Sequence, residues 1–96
     1  MPVPDAVKPV DVLLVTAEGC HFCDDALGIL DQLAQSTPLA VRIVPLDSDE
    51  GRSLAVRYRV PFPPILLIDG TLFGHGRISR RKLSRLLAMR VDDHVG

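Results

Sequence analysis

The sequence predicts a single α/β domain of element order β-α-β-α-β-β-α, with a four-stranded mixed sheet flanked by helices. Three features carry that expectation. An apolar, β-branched run (V-D-V-L-L-V-T, Val10 to Thr16) gives way at a glycine turn to apolar residues at helical spacing. Asp47-Ser48-Asp49-Glu50 has the capping residues and acidic first turn of a second helix. Asp69-Gly70, between two apolar stretches, is a strong hairpin signal.

The elements follow in order. Residues 1–9 hold three prolines and read as an irregular arm. Val10 to Thr16 reads as a buried strand, and T-A-E-G-C as a turn at Gly19. From Cys20 on, Ala26, Leu27, Leu30, Leu33 and Ala34 form a helical apolar stripe, which Ser36-Thr37-Pro38 ends. Val41 to Leu46 alternates as a half-buried strand, and Pro45 puts it at an edge or a strand end. The second helix carries Leu54, Ala55 and Tyr58, and V-P-F-P-P is a rigid loop. Ile65 to Ile68 is a third strand, and Thr71 to Phe73 returns antiparallel to it until Gly74-His75-Gly76 breaks the run. Ser79 caps a last helix with Leu83, Leu86 and Leu87 inward. The domain is expected over 10–90, followed by a short polar tail at 91–96. The early βαβ unit requires parallel strands with a right-handed crossover, and the hairpin requires an antiparallel pair.

Composition bounds the function. The chain has 96 residues, 47% apolar and 24% charged, with a net charge of −1. That balance gives no whole-molecule drive toward nucleic acid or anionic lipid, so neither is expected as a partner. No apolar run approaches the ~18 residues that span a bilayer. The first residues lack the charged start and apolar core of a secretory signal, so a cytoplasmic protein is expected; a monomer is the separate expectation for its oligomeric state.

Both cysteines stand in E-G-C-H-F-C-D-D, as a C-x-x-C at the strand-to-helix turn. A permanent staple is disfavoured in a reducing cytosol, and so short a loop adds little stability as a crosslink. A structural zinc site needs four ligands. His21 can hardly join both cysteines in one tetrahedron, and His75 is the one further ligand in view, so no metal site is expected. A reactive pair fits the position better. At the start of a helix the unpaired N–H groups and the positive dipole end point at the Cys20 sulfur and favour its thiolate. Asp24 and Asp25 oppose this, and a protonated His21 would add to it. Cys23, one turn further on, should face the protein. An exposed thiolate that attacks, beside a sheltered thiol that resolves, is what dithiol exchange needs.

With C-x-x-C at the start of the first helix, this element order resembles the thioredoxin fold. Tyr58 is followed six residues later by Pro64 and then I-L-L-I-D-G, similar to the stretch around that fold's cis-proline. The resemblance runs from Val10 to Met89. It implies that Pro64 is cis and packs beside Cys20. The short chain and the six-residue step from Pro64 to Gly70 resemble a glutaredoxin. C-H-x-C-D with the late H-G-R is similar to a small bacterial glutaredoxin-like group. The implied activity is thiol–disulfide exchange with Cys20 as nucleophile and Cys23 resolving. A protein disulfide would be the partner, and glutathione or another low-molecular-weight thiol the co-substrate. No bound cofactor is implied. The substrate would meet His21, Phe22, Pro63, Pro64, His75 and Arg77.

The sequence departs from these families at informative places. Ala17 stands where glutaredoxins place a glutathione-binding lysine. Gly74, His75 and Arg77 replace a Gly-Gly pair followed by an acid. Pro63, before the cis-proline, has no N–H to give a substrate backbone. Leu14 stands where thioredoxins carry a buried acid. His21, His75 and Arg77 are expected to form a small basic rim. Arg77 to Arg90 holds six basic residues and no acid, with Arg81 and Arg85 one turn apart. That basic helix supports a rival reading, a non-catalytic binding module on the same scaffold. A metal or iron–sulfur carrier through Cys20 is a further alternative.

Overall fold

A computed structural model of the chain describes residues 9–95, with side chains through residue 89. The irregular arm expected at the start lies outside the described residues, except for Pro9. Seven elements follow: β1 Val10–Thr16, α1 His21–Leu33, β2 Leu39–Pro45, α2 Asp49–Tyr58, β3 Ile65–Ile68, β4 Thr71–His75 and α3 Arg80–Val95. The strand order is β2-β1-β3-β4. β1 runs parallel to β2, with Val10 opposite Leu39 and Thr16 opposite Pro45. It runs antiparallel to β3, with Val15 opposite Ile65. β3 pairs antiparallel with β4. β2 is therefore an edge strand that ends on its proline.

Alternation along β1 sends side chains to two cores. Val10, Val12 and Leu14 join Leu66 and Ile68 of β3, Ala26, Leu30 and Leu33 of α1, and Ile78, Leu83 and Leu87 around α3. Val15 joins Val44, Leu54, Val60, Ile65 and Leu67 on the α2 side. The sheet is thus covered by α1 and α3 on one face and α2 on the other. Leu14, Leu66 and Leu83 are fully buried, each stabilising the fold by roughly 1.5–3 kcal/mol.

Several boundaries differ from the sequence expectation. β2 starts at Leu39, and Ala34 is the exposed C-cap of α1 rather than part of its buried stripe. β4 continues through Gly74 to His75, because Gly74 pairs with Leu66 and ladder hydrogen bonds outweigh glycine's weak strand preference. α3 runs to Val95 and takes in most of the expected tail, since no glycine or proline interrupts it. Asp69 and Gly70 both have positive φ, 51° and 81°, as a two-residue type I′ hairpin requires. Among the described residues no helix is long and apolar enough to cross a membrane.

The start of α2 is fixed closely. Ser48 Oγ accepts the Gly51 N–H at 3.0 Å and its hydroxyl donates to the Pro45 carbonyl at 2.6 Å. Both Arg42 terminal nitrogens donate to the Glu50 carboxylate at 2.8 Å, which ties β2 to α2. That hydrogen bonding holds the Glu50 carboxyl below its ordinary range. Its contribution to stability is present above the ordinary Glu pKa and is lost as pH falls through the lowered folded value. α3 starts less favourably. Its first turn carries Arg80, Arg81 and Lys82 and no acid, which the helix dipole opposes by about 0.3–1 kcal/mol per charge. Ser79 Oγ accepts the Lys82 N–H there, at 3.2 Å.

Gly51 packs against the end of β2 so closely that a β-carbon would overlap the Pro45 carbonyl. Overpacking of this kind typically costs 1–3 kcal/mol. Gly51→Ala is expected to lower Tm by about 4–8 °C per kcal/mol lost. An unchanged Tm in thermal denaturation would refute the contact.

Candidate active site

β1 leaves the sheet at Thr16, and the chain turns at Gly19, whose φ of +72° favours glycine. Cys20 follows with extended φ −92° and ψ 107° as the N-cap of α1. Its sulfur accepts the Cys23 N–H at 3.1 Å, in the place where a serine or aspartate oxygen commonly caps a helix. Cys20 is half-buried. Cys23 is 2% exposed, one helical step above Ala26 on the inward face. The two form a disulfide with Cα atoms 5.1 Å apart. The asymmetry expected of an attacking and a sheltered sulfur is built by the helix: position one caps it and position four faces inward.

The sheet brings the other residues to the same end. Because β3 runs antiparallel to β1 with Ile65 opposite Val15, Pro64 arrives where β1 turns into Cys20. The Pro63–Pro64 peptide bond is cis, and Pro64 is fully buried. β4 returns to this end, with His75 opposite Ile65 and the Gly76 N–H donating to the Pro64 carbonyl at 2.9 Å. Phe22 and Arg77 share an open cleft of about 430 Å³ with Asp24, Asp25, Gly28, Ile29, Gln32 and Ile78.

The expected basic rim is of mixed charge. The His21 side chain is 86% exposed and lies 4.0 Å from Asp25, one turn along α1. Arg77 faces a cleft that also holds Asp24 and Asp25. His75 is exposed at the end of β4. Asp24 and Asp25, read in the sequence as opposing the Cys20 thiolate, thus share their cleft with the Arg77 guanidinium. Phe62 was not singled out by sequence reasoning. It is 74% exposed beside the cis bond, against 46% for Phe22. An aromatic set among three prolines in V-P-F-P-P was the available signal.

Leu14 is fully buried in the α1–α3 core, and among the described residues no charged or polar side chain is buried. Burial in such surroundings disfavours a Cys23 thiolate once the disulfide is reduced. Among the described residues no three His, Cys, Asp or Glu side chains gather as a metal would need.

This geometry predicts one-sided chemistry. After reduction, limiting iodoacetamide at neutral pH should label Cys20 at least about tenfold faster than Cys23, as read by peptide mass mapping. Equal labelling of both thiols would contradict it.

The chain matches no protein-family model and no curated protein. Solved structures share its fold. A mutant thioredoxin from Halobacterium salinarum has a TM-score of 0.63 at 26% identity, covering 85% of this chain and 74% of that one. Thioredoxin-2 of the malaria parasite has a TM-score of 0.58 at 28% identity, covering 84% and 82%. Thioredoxin 1 from Thermosipho africanus has a TM-score of 0.66 at 11% identity, covering 90% and 99%, a likeness of fold alone. The chain has a thioredoxin-like fold: a four-stranded mixed sheet with three helices in the order β-α-β-α-β-β-α. These neighbours are thioredoxins and not specifically glutaredoxins. A thioredoxin-like fold with a C-x-x-C disulfide suggests a thiol–disulfide oxidoreductase.

Proposed function

We propose that the chain reduces disulfides by dithiol exchange in a reducing cytoplasm, with Cys20 attacking and Cys23 resolving. The observation that carries this reading is the half-buried Cys20 sulfur at the N-cap of α1, accepting the Cys23 N–H, with Cys23 buried beneath. In the reduced protein, the same N–H groups and the helix dipole stabilise a Cys20 thiolate. That thiolate forms a bond to one sulfur of a target disulfide. The target's S–S bond breaks, and its other sulfur departs with the electron pair and takes a proton. Cys23 then gives its proton to water and attacks the Cys20 sulfur. The second target sulfur leaves as a thiol, and the protein is left as the Cys20–Cys23 disulfide. Two electrons from an external thiol reductant restore the dithiol.

The substrate is proposed to lie against Phe22 and Pro63, within reach of His21, His75 and Arg77; Pro64, expected to meet it directly, is fully buried and instead shapes the site from within through its cis bond. Pro63 has no N–H, so an extended substrate can use only a carbonyl acceptor there. The glutaredoxin-like features are the short chain and the step from Pro64 to the hairpin. Ala17, His75 and Arg77 alter the glutathione seat that resemblance implies. A protein disulfide is therefore the favoured substrate, with glutathione or another low-molecular-weight thiol as the electron donor.

Substitution separates the roles. Cys20→Ser should abolish disulfide reduction, by roughly a thousandfold or more. Cys23→Ser should accumulate a mixed disulfide through Cys20, seen as an added mass that a reductant removes. Retention of activity in Cys20→Ser would end the oxidoreductase reading. Arg77→Glu should slow anionic disulfides about three- to tenfold more than neutral ones. Equal slowing would remove Arg77 from substrate contact.

A further inference from the structure

The cleft between α1 and the segment that leads into α3 holds Phe22, two residues after Cys20, and Arg77. Arg77 lines the cleft, and Arg80, Arg81, Lys82 and Arg85 follow on α3, all exposed. These five of the chain's 11 cations fall within nine residues that hold no acid, leaving six cations against twelve acids elsewhere. Among the described residues none of the five forms an ion pair. The pairs present are His21–Asp25, Arg42–Glu50 and Arg52–Asp49. Asp24 and Asp25 share the cleft with Arg77, but no carboxylate pairs with Arg80, Arg81, Lys82 or Arg85. Three of these cations sit on the positive end of α3, where their own helix repels them. An anionic partner relieves that repulsion and meets side chains and dipole together.

The spacing narrows the partner. Arg81 and Arg85 are one turn apart, a rise of about 6 Å. Alternate residues of an extended peptide present side chains on one face every ~6.6 Å. A segment with acids at alternate positions therefore matches the row. Nucleic acid is the less favoured occupant: the first turns of α3 carry no aromatic on which a base could stack, and the proposed reaction needs a disulfide-bearing partner.

We infer that the first two turns of α3 are a docking surface for an acidic segment of the disulfide-bearing protein substrate, which they hold so that its disulfide meets Cys20. This rests on the oxidoreductase reading and names its substrate class.

The test uses synthetic peptides with one internal disulfide, flanked by four glutamates or by four glutamines. At about 20 mM salt, kcat/KM for the glutamate peptide should exceed that for the glutamine peptide by about tenfold. The preference should vanish above about 300 mM. The double variant Arg81→Gln, Arg85→Gln should lose the preference while turning over the glutamine peptide within about twofold of the unaltered protein. Equal turnover of the two peptides by the unaltered protein at low salt overturns the docking surface and leaves the oxidoreductase standing. If neither peptide is reduced, the oxidoreductase reading fails by itself. Fluorescence anisotropy with a cysteine-free glutamate peptide then decides the surface. Low-salt binding lost in the double variant supports it, and no binding overturns it. Tighter binding of an oligouridylate than of the acidic peptide also overturns it, in favour of a nucleic-acid surface.

Discussion

The double-sided pairing of β1 is the constraint on which the site depends. β1 has β2 on one side in parallel and β3 on the other antiparallel. Its Val10, Val12 and Leu14 anchor one core, and Val15 the other. A strand locked in this way can slip by no residue without turning its core faces inside out. The place where β1 ends is then fixed, and so is the start of α1. Antiparallel β3 begins where β1 ends, and β4 returns to the same end. Strand direction thus brings Cys20, Pro64 and His75 to one end of the sheet, before any side chain contact is considered.

The second level is local to α1. A helix leaves its first N–H groups without backbone partners, and most helices satisfy one of them with an oxygen. Here Cys20 Sγ takes that position with the Cys23 N–H. One atom serves as helix cap in the folded structure and as proposed nucleophile in the reaction. The three-residue offset that suits capping also sends Cys23 to the inward face with Ala26 and Leu30. Because Leu14 fills the core where an ionisable group could sit, no buried carboxylate among the described residues is available to take the Cys23 proton. In the proposed reaction the Cys23 proton would therefore pass to water or to the released target sulfur rather than to a buried carboxylate.

Much of this was legible in the sequence, for physical reasons that can be named. The strand-to-helix change of period at Gly19, the Ser48 cap and the Asp69-Gly70 turn are local signals, and each of these elements formed where its signal stood. The C-x-x-C at a helix start carried the relation between its sulfurs, because that relation is set within one turn. What was not legible was tertiary. Gly74 reads as a break, but its backbone bonds to β3 keep it in the sheet. His21, His75 and Arg77 read as a basic rim, but folding sets Arg77 in one cleft with Asp24 and Asp25 of α1. Phe62 stands unremarked within the rigid V-P-F-P-P loop, and only the loop's path reveals its 74% exposure.

On the proposed function, the start of α1 makes Cys20 a thiolate at the pH where the protein works. The most direct test is the rate of Cys20 alkylation against pH on reduced protein, read by mass spectrometry. A plateau with a midpoint well below the ordinary cysteine value of about 8.5 is expected, because cap and dipole both favour the anion. A midpoint at or above that value would mean that the helix start activates nothing, and the proposed nucleophile would lose its physical basis.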